Sequence, residues 1–236
     1  MDINTINKVK KRIQIQKELA LQKVLELIAT GVVVESPEQL HIRGTVSCGK
    51  NVTFDVNVII EGDVKLEDDV IIGANCILRN CTIGKGTFIK PFSLMEGSVI
   101  GENCFVGPYG RIRSNVLIGN DVQIGNYVEI KNSNIGSKSR INHHAIILDA
   151  DLAEQVTIGG NTQTSNHDGE RTHRTKIGYG AYVGAGCDLV APLIVNANAF
   201  IAAGSTITKE VSANSLAIAR SRQKKVENWK GLKSRE

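Results

Sequence analysis

Aromatic side chains are scarce in this sequence, at 4% of residues with a single Trp. So few large rings disfavour an ordinary layered core. The plentiful Val, Ile, Asn and Gly suit many short strands joined by tight turns. Cysteine pairing is also missing: Cys48, Cys76, Cys81, Cys104 and Cys187 contain no C-x-x-C spacing and leave an odd residue over. This argues against a disulfide framework or a structural zinc site and fits a reducing compartment. Four of the five stand where a small apolar residue would serve, so packing is their expected role. An excess of one charge is absent too, because the net charge is only +4 with the two signs interspersed. Nucleic acid is therefore not an expected partner. Residues 1 to 30 carry Lys8, Lys10, Lys11, Arg12 and Lys23, which interrupt any apolar run. No signal peptide or membrane span is expected there, and a cytoplasmic protein is.

What the sequence does have is an internal period. Val46, Val52, Val58, Val64, Val70 and Cys76 lie six apart, and Phe54, Ile60, Leu66, Ile72 and Leu78 follow two residues behind. A helix would scatter residues six apart over different faces, whereas a short strand with a turn every six residues returns them to one inward line. The pattern continues as I-G-K-G-T-F, V-I-G-E-N-C-F-V-G, V-L-I-G-N-D-V-Q-I-G-N-Y-V and K-I-G-Y-G-A-Y-V-G. Each hexad is read as one side of a triangular coil, with Gly, Asn or Asp at the corners where positive φ is needed. Stacked coils then form parallel strands about 4.8 Å apart around an aliphatic interior.

Three segments are expected: a helical arm over 1–31, the coil over 32–215 and a basic tail over 216–236. In the arm, Ile6, Val9, Ile13, Leu19, Val24, Leu27 and Ile28 recur at three to five residues and Gly31 closes the run. A cap over the first coil or an oligomer contact is its expected use. In the tail, Arg220, Arg222, Lys224, Lys225 and Lys230 surround Trp229, as in a solvated chain end.

The hexads fail between Ile158-Gly159 and Ile177-Gly178, where T-S-N-H-D-G-E-R-T-H-R is polar and turn-rich. A loop projecting near residues 163–175 is expected, and loops on rigid scaffolds are where ligands tend to be held. Just before it, Asn142-His143-His144 interrupts the coil, so the two irregularities suggest one site. A histidine there is either a proton acceptor at physiological pH or a surface turn residue.

These residues carry a resemblance. The stretch from Arg43 to Trp229 resembles the C-terminal half of the bifunctional bacterial family that acetylates glucosamine-1-phosphate and then uridylylates it. The likeness rests on N-V-I-I-E-G at 57–62, G-N-Y-V-E-I-K at 125–131, T-S-N-H-D-G at 164–169, L-V-A-P at 189–192, I-A-A-G-S-T-I-T at 201–208 and L-A-I-A-R at 216–220. It implies an all-β, left-handed parallel β-helix of hexapeptide repeats; the hand comes from the resemblance, not from the period. It also implies an acetyl-CoA-dependent acyltransferase, a homotrimer with sites between subunits, and no metal. Because the likeness covers the acetyl-transfer half alone, it implies no uridylyl transfer by this chain.

Position by position, the resemblance makes His143 the catalytic base. It makes Arg113 and Lys131 the cations that hold the sugar phosphate, and Asn166 a residue holding substrate and the acetyl end of the cofactor. Gly160, Ala185 and Ala203 would line the pantetheine groove, with Arg220 near the CoA nucleotide. Four positions depart from the family: Ile146 and His167 stand where it has tyrosine, Thr157 where it has asparagine and Thr172 where it has lysine. Ile146, Thr157 and Thr172 would face the acceptor sugar, and His167 the cofactor. A different amino-sugar or nucleotide-sugar acceptor therefore stays open, as do a catalytically inactive trimeric coil and a zinc-dependent hydratase using His143, His144, His167 and His173. The two adjacent histidines, expected on opposite sides of a strand, weigh against the last.

Overall fold

The computed structural model describes residues 2–229. The hexads build a three-sided, left-handed parallel β-helix. The first face is an eleven-stranded parallel sheet from Val33–Val34 to Leu216–Ala217. The other two faces share long strands at the N-terminal end, His41–Cys48, Ile59–Leu66 and Ile77–Ile83, which run across both. Beyond them each long strand splits in two. The second face continues through Leu94–Glu96, Arg111–Ile112, Glu129–Lys131 and Ile146–Leu148. The third continues through Ser98–Ile100, Val116–Ile118 and Ser133–Ile135.

The six-residue ladder is the core. Val52, Phe54, Val58, Ile60, Val70, Ile72, Cys76 and Leu78 are each fully buried, and the same inward lines continue through Ile112, Val128, Ile130, Ile147 and Ile158. Burying such a side chain contributes about 1.5 to 3 kcal/mol, and each coil also supplies the backbone partners of the next. Four cysteines are buried in this interior, and burial pushes the Cys76 thiol up to about 11 and that of Cys81 up to about 12. They are packing residues, as their positions imply.

Register partners on the first face are 17 or 18 residues apart through the middle of the coil, as from Ile71 to Phe88 and from Phe105 to Gln123. The step from Thr157 to Tyr182 is longer, and the surplus leaves the coil as an excursion. The coil persists further into this stretch than its polarity implies. Gln163–Ser165 is a strand of the second face, with Thr162 and Thr164 buried as inward residues. Polar side chains fit there because the Thr162 hydroxyl donates to the Gly184 carbonyl at 2.9 Å and that of Thr164 to Leu148 at 2.9 Å. The excursion expected near 163–175 is thus residues 166–174, and Thr175–Ile177 resumes the third face.

The arm is a helix, Ile3–Ala29, but only its last turns touch the coil: Val24 is buried and Leu27 and Ile28 pack against the core. Arg220, Arg222, Lys224, Lys225 and Trp229 are exposed beyond the last strand; Lys230 lies outside the described residues. Among the described residues no helix is long and apolar enough to cross a membrane.

Candidate active site

Two corners flank the second face, and the candidate residues divide between them. The first corner carries His143 and His144 in the turn between Arg140–Ile141 and Ile146–Leu148. Both histidines are exposed. The expectation that they point to opposite sides of a strand does not hold, because a corner turn, not a strand, carries them. His144 takes a left-handed φ of 58°, a conformation costly for a side chain with a Cβ. Its ring completes a ladder of rings on successive coils: Phe92 stacks on Tyr109 at 5.0 Å, Tyr109 on Tyr127 at 4.9 Å, and Tyr127 meets His144 at 5.0 Å. Phe92, Tyr109 and Tyr127 share the left-handed backbone, so stacking offsets strain on every step. His143 has a partner of its own, donating from Nδ1 to Asn126 Oδ1 one coil back. In that tautomer Nε2 keeps its lone pair.

Beyond His143 the same corner is stripped of bulk. The Asn161 N–H donates to the His143 carbonyl at 3.0 Å, that of Gly186 to Gly160 at 2.8 Å and that of Gly204 to Ala185 at 2.8 Å. Arg220 Nη1 then donates to the Ala203 carbonyl at 2.6 Å. His143, Gly160, Ala185, Ala203 and Arg220 therefore lie on one line, a coil apart. At Gly186, with φ 67°, a Cβ would meet nothing within 4 Å, so the edge is open where small residues follow the histidine.

On the flat face itself, Arg113 and Lys131 occupy equivalent positions of adjacent coils, two residues beyond the register pair Arg111 and Glu129. Glu129 accepts from Arg113 at 2.8 Å and lies 3.4 Å from Arg111. Lys131 is exposed beside them. Ile146 stands in register with Glu129 and is 38% exposed, an apolar patch among charged neighbours. Thr157 lies elsewhere: its strand belongs to the first face, in register with Arg140 and Tyr182, so the first corner separates it from Ile146.

The second corner holds the excursion. Asp149, only 7% exposed, accepts from Asn132 on the preceding coil at one oxygen and from Asn166 Nδ2 at the other, the latter at 2.5 Å. Arg174 closes the excursion, donating to Asp151 through Nε at 3.0 Å and Nη2 at 2.6 Å, and to the Asn132 carbonyl at 3.1 Å. This paired hydrogen bonding holds the Asp151 carboxyl below its ordinary value and raises the Arg174 guanidinium. Within the excursion, Asp168 accepts from the Glu170 and Arg171 N–H groups and pairs with His173 at 2.7 Å, which lowers its carboxyl well below the usual range. His167 and Thr172 form an antiparallel bridge, and His167 Nδ1 accepts from the Gly169 N–H at 3.0 Å.

One chain thus joins His143 to Gly160, Ala185, Ala203 and Arg220, and Arg113 to Lys131. It does not bring His143 to Asn166. The strand from His144 to Asp149 separates their corners by five residues, about 16 Å at a strand's rise per residue. Asn126, Glu129, Asp149 and Arg174 add to the candidate set. The corner residues Asn115, Asn132, Asp149 and Asn166 recur every 17 residues, a spacing that marks them as one column. Among the described residues no three His, Cys, Asp or Glu side chains are grouped to hold a metal ion.

Comparison with known proteins extends the resemblance across the chain. A family described as GMPPB C-terminal domain matches residues 42–115. The protein named bifunctional protein GlmU from Aromatoleum aromaticum is 43% identical over 204 residues, covering 86% of this chain and 45% of the relative. The protein of the same name from Acinetobacter baumannii is also 43% identical, over 89% of this chain and 46% of its own length. The chain therefore spans about half the length of the relatives it matches. Among solved structures, a UDP-N-acetylglucosamine acyltransferase from Campylobacter jejuni is 18% identical with a TM-score of 0.47, covering 76% of this chain and 71% of that one.

Proposed function

We propose that this protein transfers the acetyl group of acetyl-CoA to the amine of an amino-sugar phosphate, glucosamine-1-phosphate first, giving N-acetylglucosamine-1-phosphate. The observation that carries this reading is the first corner, where a histidine with a free Nε2 heads a line of small residues that ends at an arginine. A pantetheine chain laid along Gly160, Ala185 and Ala203 would meet exposed main-chain edges and little bulk, with Arg220 at the far end for the anionic nucleotide.

In the reaction His143 Nε2 takes the proton of the substrate ammonium. The free amine attacks the thioester carbonyl, the C–N bond forms, the C–S bond breaks, and the CoA sulfur leaves as the thiol by taking up one of the two protons left on the attacking nitrogen, which becomes the amide. Such a base contributes about 10² to 10⁴ in rate. Arg113 and Lys131 suit the sugar phosphate, a guanidinium fork beside a point charge. Glu129 holds the fork until an anion competes for it.

The separation of His143 from Asn166 within one chain favours a homotrimer in which the excursion of one subunit reaches the first corner of the next. Asn166 and His167 would then meet the acetyl end of the cofactor from across the boundary. Release of free CoA from acetyl-CoA with glucosamine-1-phosphate tests the reading, run beside sedimentation of the protein. No release with any amino-sugar phosphate or nucleotide-linked amino sugar would overturn it, and a monomer would overturn the shared site.

A second acceptor is favoured by one observation. Ile146 presents an apolar surface on the substrate face, where the resembled family places a hydroxyl. A buried polar group on the ligand left without its bond costs about 1 to 3 kcal/mol, so an acceptor with a less polar edge would gain there. Comparing kcat/KM for glucosamine-1-phosphate with that for deoxy amino sugars and nucleotide-linked amino sugars separates the two.

A further inference from the structure

Asp149 takes no part in the reaction as described, yet among the described residues it is the one buried aspartate. Its surroundings are specific. Asn132, Asp149 and Asn166 occupy one corner position on three successive coils, and each carboxamide nitrogen donates to a different oxygen of the carboxylate between them. An ionised carboxylate only accepts hydrogen bonds. The Asn166 amide is therefore oriented by chemistry: its Nδ2 must face Asp149, and its Oδ1 must face away. The backbone beneath it is fixed as well, because the Asn166 carbonyl accepts from the His173 N–H at 2.7 Å. Among the described residues no group donates to Asn166 Oδ1, and Asn166 is half-buried, so that oxygen is available to a ligand.

The geometry points to Asp149 as a positioning residue that makes Asn166 present a hydrogen-bond acceptor to the site. An acceptor there suits an ammonium or hydroxyl donor of the sugar, while the second N–H of Nδ2, which Asp149 does not engage, stays free for the acetyl carbonyl of the cofactor. This inference rests on the proposed acetyl transfer for its substrate, but the orientation itself stands on the Asn132–Asp149–Asn166 column. Asp149→Asn keeps the shape and removes the constraint: the new carboxamide can accept at one oxygen only, so Asn132 and Asn166 no longer both donate to it, and Asn166 is free to turn.

Two measurements on the full chain test this. In kinetics, Asp149→Asn is expected to lower kcat/KM for the amino sugar about 10-fold while the KM for acetyl-CoA stays within about twofold, an approximate factor matching one charge-assisted hydrogen bond. In an Asn166→Ala background the same change should add nothing, since Asp149 acts through Asn166. An equal loss in both backgrounds would make Asp149 a structural residue and overturn the inference. The second measurement needs no turnover. With asparagine side chains ¹⁵N-labelled, and the Asn166 amide assigned by its loss in Asn166→Ala, its NH₂ protons should exchange slowly in the unaltered protein and rapidly in Asp149→Asn. A held amide in a protein that transfers no acetyl would sink the proposed function alone. Rapid exchange in an unaltered protein that turns over would sink this inference alone.

Discussion

The two corners of the second face use the same backbone device to opposite ends. At both, residues with positive φ turn the chain on successive coils, as at Tyr109, Tyr127 and His144 on the first and at Asn115, Asn132 and Asp149 on the second, and hydrogen bonds link each coil to the next. At the first corner the side chains either stack on one another, as Phe92, Tyr109 and Tyr127 do, or dwindle to Gly160, Ala185 and Gly186, leaving an open edge beside His143. At the second, Asn132, Asp149 and Asn166 interlock and Arg174 fastens the excursion over them. A repeating scaffold thus yields a groove where its corners are small and a latch where they are polar. The groove should respond to substitution in rate, and the fastening of the excursion by Arg174 in stability and order.

The largest test of that division is His143→Ala. The side chain is exposed and its hydrogen-bond partner is Asn126, so thermal unfolding should move little. The turnover of the proposed reaction should fall by about 10² to 10⁴. A variant with full turnover would dissociate the first corner from the chemistry. A large drop in melting temperature would place His143 with the latch instead.

Next comes Arg174→Met, which keeps the aliphatic stem and removes the guanidinium. The ion pair with Asp151 is more than a third exposed on both sides, so solvent screening limits it to less than about 1 kcal/mol. The bonds to the Asn132 and Ala150 carbonyls bring the expected loss to about 1 to 2 kcal/mol. Differential hydrogen exchange should rise in residues 166–174 and not at residues 142–146. Loosening at both corners together would show that the two are not independent.

How much of this was legible in the sequence follows from the same contrast. The core was, because Val52, Val58, Val70 and their partners two residues on must recur every six residues to face inward. The small line beyond His143 was not legible from spacing. His143 and Gly160 are 17 apart, but the excursion stretches the next step, to Ala185, and only the resemblance aligned them. Thr162 and Thr164 look like loop residues by polarity, since sequence does not show that a neighbouring coil offers carbonyls to their hydroxyls. Asn132 and Asp149 sit at legible positions. Their role was hidden because Asn and Asp are what any such corner prefers.

Within the first corner, the ring ladder allows a finer break. Tyr127→Ala removes an interior ring of the ladder, between Tyr109 and His144, and keeps a Cβ at φ 57°, so it loses stacking worth about 1 kcal/mol and retains the strain. Tyr127→Gly loses the same stacking but sheds the left-handed penalty, so it should be the more stable of the two by about 1 kcal/mol. Denaturant midpoints at constant slope measure this. An alanine variant as stable as the glycine variant would mean that the ladder carries no strain.

The smallest expected effect is the latch's dependence on pH, and its sign is fixed by Asp151. Arg174 holds that carboxyl below its ordinary value of 3.8 when the protein is folded. Folding therefore gains from the charged form above the ordinary value, and that contribution is lost as pH falls through the depressed folded one. Asp168, lowered by the Arg171 and Glu170 N–H groups and by His173, shifts in the same direction. Protection of residues 166–174 against hydrogen exchange, corrected for intrinsic rates, should hold between pH 7 and about 5 and weaken below about 4, while residues 142–146 serve as the control. Weakening already between pH 7 and 6 would mean that neither carboxylate governs the latch.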